Sequence, residues 1–174
     1  FTALDIASRK KAEEQLVRSE LRLQKAQSLA HVGNWELALP RKKVWASEEA
    51  LAIYGFERGS QEIPLDLVQR SPLPEFRPVL DEALDRLIRY NEPYEVEFKI
   101  HRASDNKIRA LHAKAELFVS KDTIEVRVIG VVQDITERKQ AEENLDRAKK
   151  EFQNYFESGS VGMSVTLPDM KFVE

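Results

Sequence analysis

The sequence predicts an α+β domain: one five-stranded antiparallel sheet with helices on one face, and a long coiled-coil-type helix at each end. Three observations carry this. Apolar residues alternate with period two in two stretches within 32–47 and in three more within 94–133, and follow a helical period in between. A charged, helix-like phrase occurs twice, as "DIASRKKAEEQL" at 5–16 and "DITERKQAEENL" at 134–145. The copies stand 129 residues apart, and at the same offset Val32-Gly33 falls on Val161-Gly162. The repeat unit is therefore larger than the phrase. The chain reads as one complete domain followed by the opening of a second.

Composition narrows the function classes. With 42% hydrophobic residues the chain can bury a core, and its 33% charged residues gather around the two phrases. A net charge of −3 offers no general attraction to nucleic acid or to an anionic membrane. There is no cysteine, which excludes disulfides, thiolate metal sites and cysteinyl adducts. The longest apolar run, "VIGVV" at 128–132, is far short of the roughly 20 residues of a membrane helix. No nucleic acid, no membrane insertion and a cytoplasmic location are the expectations. Phe1 is not an initiator methionine, so the chain reads as a piece of a longer protein.

The first predicted helix covers 6–30. Ala12, Leu16, Ser19, Leu23 and Ala26 follow alternating spacings of four and three, the seam of a coiled coil. The second copy repeats this with Ala141, Leu145, Ala148, Phe152 and Tyr155. Small residues in a seam specify weakly, which favours an adjustable homodimer over a rigid zipper. Asp134 stands as an N-cap with Glu137 three residues later, the pattern of a capping box; Ser8 replaces that glutamate in the first copy.

Between the helices, strand 32–39 places Trp35, Leu37 and Leu39 on one face, and 44–47 forms a second strand. Ser47 caps a helix over 48–54 that Gly55 stops. A loop follows, punctuated by Pro64, Pro72 and Pro74. The helix over 78–90 carries an apolar stripe of Leu80, Ala83, Leu84, Leu87 and Ile88. Strand 94–101 alternates, with Tyr94, Val96, Phe98 and Ile100 inward. After a turn at Asp105-Asn106, strand 108–119 points Leu111, Ala113, Ala115, Leu117 and Val119 inward. A turn at Lys121-Asp122 leads to the last strand, with Ile124, Val126, Val128, Gly130 and Val132 inward.

Catalytic signatures are missing. No phosphate loop, dinucleotide fingerprint or serine elbow occurs, so any enzyme activity is expected outside this chain. Of the three histidines, His31 precedes the first strand, while His101 and His112 fall on outward faces as candidate cross-strand neighbours. No metal site is expected.

The motifs together resemble the PAS domain, in the variant whose core opens on a "VGNWEL"-like strand. The landmarks are His31-Val32-Gly33-Asn34-Trp35, Val44-Trp45-Ala46-Ser47-Glu48-Glu49, Pro93-Tyr94-Glu95-Val96-Glu97-Phe98 and Gly130-Val131-Val132-Gln133-Asp134-Ile135-Thr136-Glu137-Arg138. Two departures stand out: Pro74-Glu75-Phe76-Arg77 lacks the aspartate common before the long helix, and Ala110 stands where the family often has tryptophan.

The resemblance implies a PAS fold: a linker helix at 1–30, a core at 31–135, a signalling helix at 136–158 and a truncated following domain at 159–174. It implies a sensory relay and dimerisation module of a sensor histidine kinase or diguanylate cyclase, with neighbouring PAS and output domains as partners. Asp134, Ile135, Thr136 and Glu137 would be the signal junction. Any ligand would sit among Trp35, Leu37, Tyr54, Leu84, Leu87, Phe98, Leu111, Val128 and Gly130. A core with no cofactor is the expectation. A flavin or haem sensor is the first alternative, and a passive helical spacer the second. Haem-binding members place a histidine on the long helix, which has none here, and flavin photochemistry of the light-oxygen-voltage kind needs a cysteine. A redox flavin would use Trp35, Trp45 and Asn34; against it, Trp35 reads as core and Trp45 as packed on the helices.

Overall fold

The computed structural model describes residues 3–39, 41–57, 59, 61–119 and 126–157. Two compact units compose the chain, Phe1–Thr136 and Glu137–Glu174. The first opens with helix α1 (Ala3–Leu29), then strands β1 (Val32–Ala38) and β2 (Lys43–Ala46), helix α2 (Glu48–Tyr54), strand β3 (Glu62–Pro64) and helix α3 (Leu65–Arg70). A 3₁₀ turn at Pro74–Phe76 leads to helix α4 (Arg77–Tyr90), followed by strands β4 (Tyr94–His101), β5 (Ile108–Val119) and β6 (Val126–Asp134). Helix α5 (Thr136–Glu157) continues from β6 and supplies the described part of the second unit.

The strands form one antiparallel sheet in the order β3-β2-β1-β6-β5-β4. Six strands replace the expected five. The extra one lies in the segment read as a proline-punctuated loop. Pro64 ends β3 opposite Lys43, and β3 is an edge strand, where a missing N–H can be tolerated. That same segment also holds α3, which starts directly after Pro64.

The strict alternation of β1, β6 and β5 builds the core. Leu37 of β1 stands opposite Val44 and Val128, and Val128 stands opposite Leu117. Leu37, Leu51, Leu87, Ile100, Leu111, Val128 and Val132 are the largest fully buried side chains. Each such side chain stabilises the fold by about 1.5–3 kcal/mol relative to exposure. Ala50, Leu51 and Ile53 of α2 and the Leu80, Ala83, Leu84, Leu87 and Ile88 stripe of α4 pack on this face. Val119, expected inward, is 57% exposed at the end of β5. Ile124 and the Lys121-Asp122 turn lie outside the described residues, as does the segment read as a following domain.

Caps follow local chemistry. The Ser47 hydroxyl accepts the Ala50 N–H and also the Asn34 N–H, so one side chain starts α2 and ties it to β1. Gly55 ends α2 at φ 75°, and a Cβ there would lie 2.6 Å from the Ser104 nitrogen, so only glycine lets α2 approach the β4–β5 hairpin. Phe76 begins α4 without a side-chain cap, as the missing aspartate implies.

Candidate functional site

Between the inner sheet face and the helices lies a cavity of about 100 Å³. The sheet contributes Trp35, Leu37, Val44, Ala46, Phe98, Ala113 and Val132 to its wall, and the helices contribute Ala50, Tyr54, Val68, Leu80 and Leu84. Gln69, Arg77 and Asp81 line it where it meets solvent. Arg77 donates from Nε to the Pro72 carbonyl at 3.0 Å and from Nη2 to the Arg70 carbonyl at 2.9 Å. It thereby fastens the end of α3 to the start of α4.

Of the nine residues singled out for a pocket, Trp35, Leu37, Tyr54, Leu84 and Phe98 line the cavity. Leu87, Leu111 and Val128 are packed solidly in the core instead. Gly130 lies beneath the Trp35 ring, whose atoms come within 2.5 Å of where a Cβ would be. Trp35 in turn meets Tyr94 edge-on, with ring centroids 6.3 Å apart. Burial raises the Tyr54 phenol well above the ordinary tyrosine value, with the neighbouring Tyr94 adding to it. Burial, with a smaller contribution from Asp81, pushes Tyr94 up to about 12.

The cavity as it stands is narrow for a flavin or a haem. Cofactor-sized ligands take pockets of roughly 300–1,000 Å³, and Trp35 already covers Gly130. Among the described residues that line the cavity there is no histidine, cysteine or methionine. The histidines are placed elsewhere: His31 Nδ1 lies 3.6 Å from Glu49, His112 Nε2 lies 3.0 Å from Glu95, and His101 is exposed near the Asn106 carbonyl. His101 and His112 are not cross-strand neighbours, since His101 pairs with Ile108 and His112 with Glu97 and Gln133. No metal-binding cluster occurs among the described residues. Trp45 lines a surface cleft together with Leu23 and Gln27 of α1. It is 41% exposed and donates its indole N–H to Gln61 at 3.2 Å.

The second feature is the exit of β6. The Thr136 hydroxyl accepts the Ala110 N–H at 2.9 Å, and the Ile135 N–H donates to the Ala110 carbonyl at 2.8 Å. The Asp134 carboxylate accepts the Thr136 N–H at 2.9 Å and also the Thr136 hydroxyl. Arg109 Nη1 stands 3.8 Å from Asp134. Ile135 is buried between these anchors. The backbone of β5 at Ala110 thus clamps the first residues after β6. The capping box expected of Asp134 and Glu137 is incomplete. Its reciprocal bond needs the Asp134 N–H, which instead donates to the His31 carbonyl at 3.1 Å.

Ala110 was invisible to side-chain reasoning, because its backbone does the binding. A backbone hydrogen bond also joins the end of α2 to the turn that precedes β5. The Tyr54 carbonyl accepts the Ala103 N–H at 2.8 Å, in the hairpin between β4 and β5. Arg102 closes that hairpin with an ion pair to Asp105. That pair holds the Asp105 carboxyl well below the usual carboxylate range.

The seam residues of α1 and α5 named from the sequence are all solvent-exposed in their own units. On α5, Leu145, Phe152 and Tyr155 share the stripe with Phe156, whose ring centroid lies 5.0 Å from that of Phe152. No helix of the described residues is long and apolar enough to cross a membrane.

Among known proteins, the chain is 27% identical over 150 residues to a blue-light-activated histidine kinase of Brucella melitensis, covering 86% of this chain and 29% of that protein. It is 24% identical over 123 residues to hybrid signal transduction histidine kinase I of Dictyostelium discoideum, covering 70% of this chain and 7% of that protein. The chain thus spans less than a third of the length of either relative. A sensory box histidine kinase/response regulator structure from Burkholderia thailandensis superposes with a TM-score of 0.61 at 24% identity, covering 76% of this chain and 98% of that one. The family model described as the PAS fold matches residues 43–132, more than half of the chain. The alternating sheet, the helix-covered inner face and this match agree: the chain belongs to the PAS fold family.

Proposed function

We propose that this chain is the sensory and relay module of a larger cytoplasmic signalling protein, with a histidine kinase or a diguanylate cyclase as output. One observation carries the reading. The first residues of α5 are held by β5 through Ala110, so the start of the helix is set by the sheet that walls the cavity. A change in cavity packing would move α2, displace the hairpin bonded to Tyr54, shift Arg109 and Ala110, and rephase α5. Signalling residues are then Asp134, Ile135, Thr136 and Glu137.

The readout in this reading is dimerisation. The seam of Ala141, Leu145, Ala148, Phe152 and Tyr155 would face its counterpart in a second copy, and Ala12, Leu16, Ser19, Leu23 and Ala26 would do the same in α1. A weak seam can hold two registers close in energy, so a small rotation at Thr136 selects between them. Catalysis belongs to other domains of the full protein, and the neighbours in the same chain are its partners.

The test is Asp134→Ala in the full-length protein. The expected result is a folded protein whose output no longer follows its stimulus. An output that still tracks the stimulus as in the wild type refutes the relay. Deleting four residues from α5 separates this reading from a passive spacer, which tolerates the loss of phase.

A further inference from the structure

We propose that Phe156 at the end of α5, backed by Phe152, is a docking face for the first strand hairpin of a further domain in the same chain, the one that opens at Val161. The proposal rests on the reading of neighbouring domains as this module's partners. It adds the contact that joins them, Phe156 against Val173.

The precedent lies at the other end of the molecule. Two residues separate the end of α1 at Leu29 from the start of β1 at Val32. So short a connection keeps the last turns of the helix beside the hairpin of β1 and β2. Leu23, Gln24 and Gln27 of α1 line one side of a cleft there, and Asn34 of β1 and Trp45 of β2 line the other. Gly33 belongs to the same arrangement. A Cβ on it would lie 2.4 Å from the Ala50 backbone, so α2 packs directly on the start of β1.

The same residues recur at the C-terminal end. At the 129-residue offset, Leu23, Gln27 and Val32-Gly33 correspond to Phe152, Phe156 and Val161-Gly162. After one deletion, Leu39-Pro40 and Lys43 return as Leu167-Pro168 and Lys171 at an offset of 128. Val173 then stands in the place of Trp45. Three residues, 158–160, separate the end of α5 at Glu157 from Val161. The facing positions exchange size. The first joint sets Gln27 against a tryptophan, and the second sets Phe156 against a valine. The bulky ring passes from the strand to the helix, which keeps the volume across the contact roughly even. Among the described residues neither ring is covered: Phe156 is 66% and Phe152 61% exposed, with ring centroids 5.0 Å apart. Adjacent exposed aromatics of this kind mark a contact surface. Phe156 lies on the flank of the stripe, so Leu145, Ala148, Phe152 and Tyr155 keep their seam for a second copy.

The experiment is cross-linking of the full-length protein by a short bismaleimide, with the linked peptides identified by mass. Phe156→Cys with Val173→Cys gives a link within one chain, so a mixture of light and heavy isotope-labelled protein joins only like-labelled peptides. Gln27→Cys with Trp45→Cys gives the matching link at the first joint. Glu151→Cys with Val173→Cys gives little, because Glu151 corresponds to Arg22, which does not line the cleft at α1. No link from position 156, an equal link from position 151, or mixed-label links overturn the proposal. If the cysteine variants fail to fold, a size exchange decides. Phe156→Gln speeds amide exchange over residues 152–157 about tenfold, and adding Val173→Trp restores it. A double variant that exchanges as fast as Phe156→Gln overturns the proposal. Amide exchange over residues 161–174 of the wild type keeps the docking and the further domain apart. Protection there without the link from position 156 sinks the docking alone, and no protection there sinks the further domain with it. The relay stands or falls separately, on the output of Asp134→Ala.

Discussion

The two copies of the charged phrase share most of their residues and have different structures. In the second, Asp134 ends β6, Ile135 is buried, and Thr136 starts α5 with its hydroxyl on the Ala110 N–H. In the first, residues 5–10 lie inside α1, which is already helical from Ala3. In the second copy a strand precedes the phrase, and a neighbouring strand offers a backbone N–H and carbonyl to hold it. The copies also differ at one informative place: Ala7 stands where the second copy has Thr136. The hydroxyl is the part that engages β5.

The helices beyond the phrases differ as well. On α5 the large apolar residues from Leu145 to Phe156 fall along a single stripe. On α1, Leu16 and Leu23 share one face while Val17 and Leu21 lie on the opposite one. One stripe fits one partner helix; two faces fit a helix with contacts on both sides.

The largest way to break the contrast is Ile135→Ala. It removes a buried side chain at the clamp and should cost about 2–4 kcal/mol in urea denaturation. Leu16→Ala on α1 should cost under about 0.5 kcal/mol at concentrations where the chain is monomeric, since Leu16 is 60% exposed. Equal costs would mean that the two phrases are anchored alike.

Thr136→Ala rewrites the second phrase as the first. It leaves the part-buried Ala110 N–H without its acceptor and should cost about 1–3 kcal/mol, with Thr136→Ser restoring most of the loss. A Thr136→Ser variant as unstable as Thr136→Ala would show that the methyl group, not the hydroxyl, matters.

Asp134→Ala comes next, at about 1 kcal/mol. The lost acceptor for the Thr136 N–H is worth what a helix cap is worth, and the 3.8 Å contact to Arg109 adds little through partial solvent screening. Smallest in stability, yet decisive for assembly, is Phe152→Ser. It should leave monomer unfolding within about 0.5 kcal/mol of wild type. Sedimentation should nonetheless show a dimer weakened at least tenfold, and more than by Leu23→Ser.

Where periodicity is strict, the sequence shows the element directly. Strands β4 and β5 and the stripe of α4 lie where alternation and helical spacing place them, because each buries one face only. Ser47 and Gly55 likewise announce both ends of α2. Strand β3 and helix α3 escape because prolines read as loop, although an edge strand and a helix start can accept Pro64. Val119 departs from the alternation at the last position of β5, where it is exposed. Side-chain pattern finds the cavity's Trp35, Leu37, Tyr54, Leu84 and Phe98, but cannot separate them from Leu111 or Val128, which face the same way and are packed solid. At the clamp the sequence shows Ile135 and Thr136 but not their partner Ala110, which engages them through its backbone N–H and carbonyl.

The central claim is that the cavity wall and the start of α5 are coupled through the clamp. Amide hydrogen exchange over residues 138–150 tests this most directly, in four proteins: wild type, Ala113→Leu, Thr136→Ala and the double variant. The account predicts that filling the cavity changes α5 protection when Thr136 is present and has no such effect in the Thr136→Ala background. Protection of α5 that is blind to Ala113→Leu, or that responds equally with and without the Thr136 hydroxyl, would contradict it.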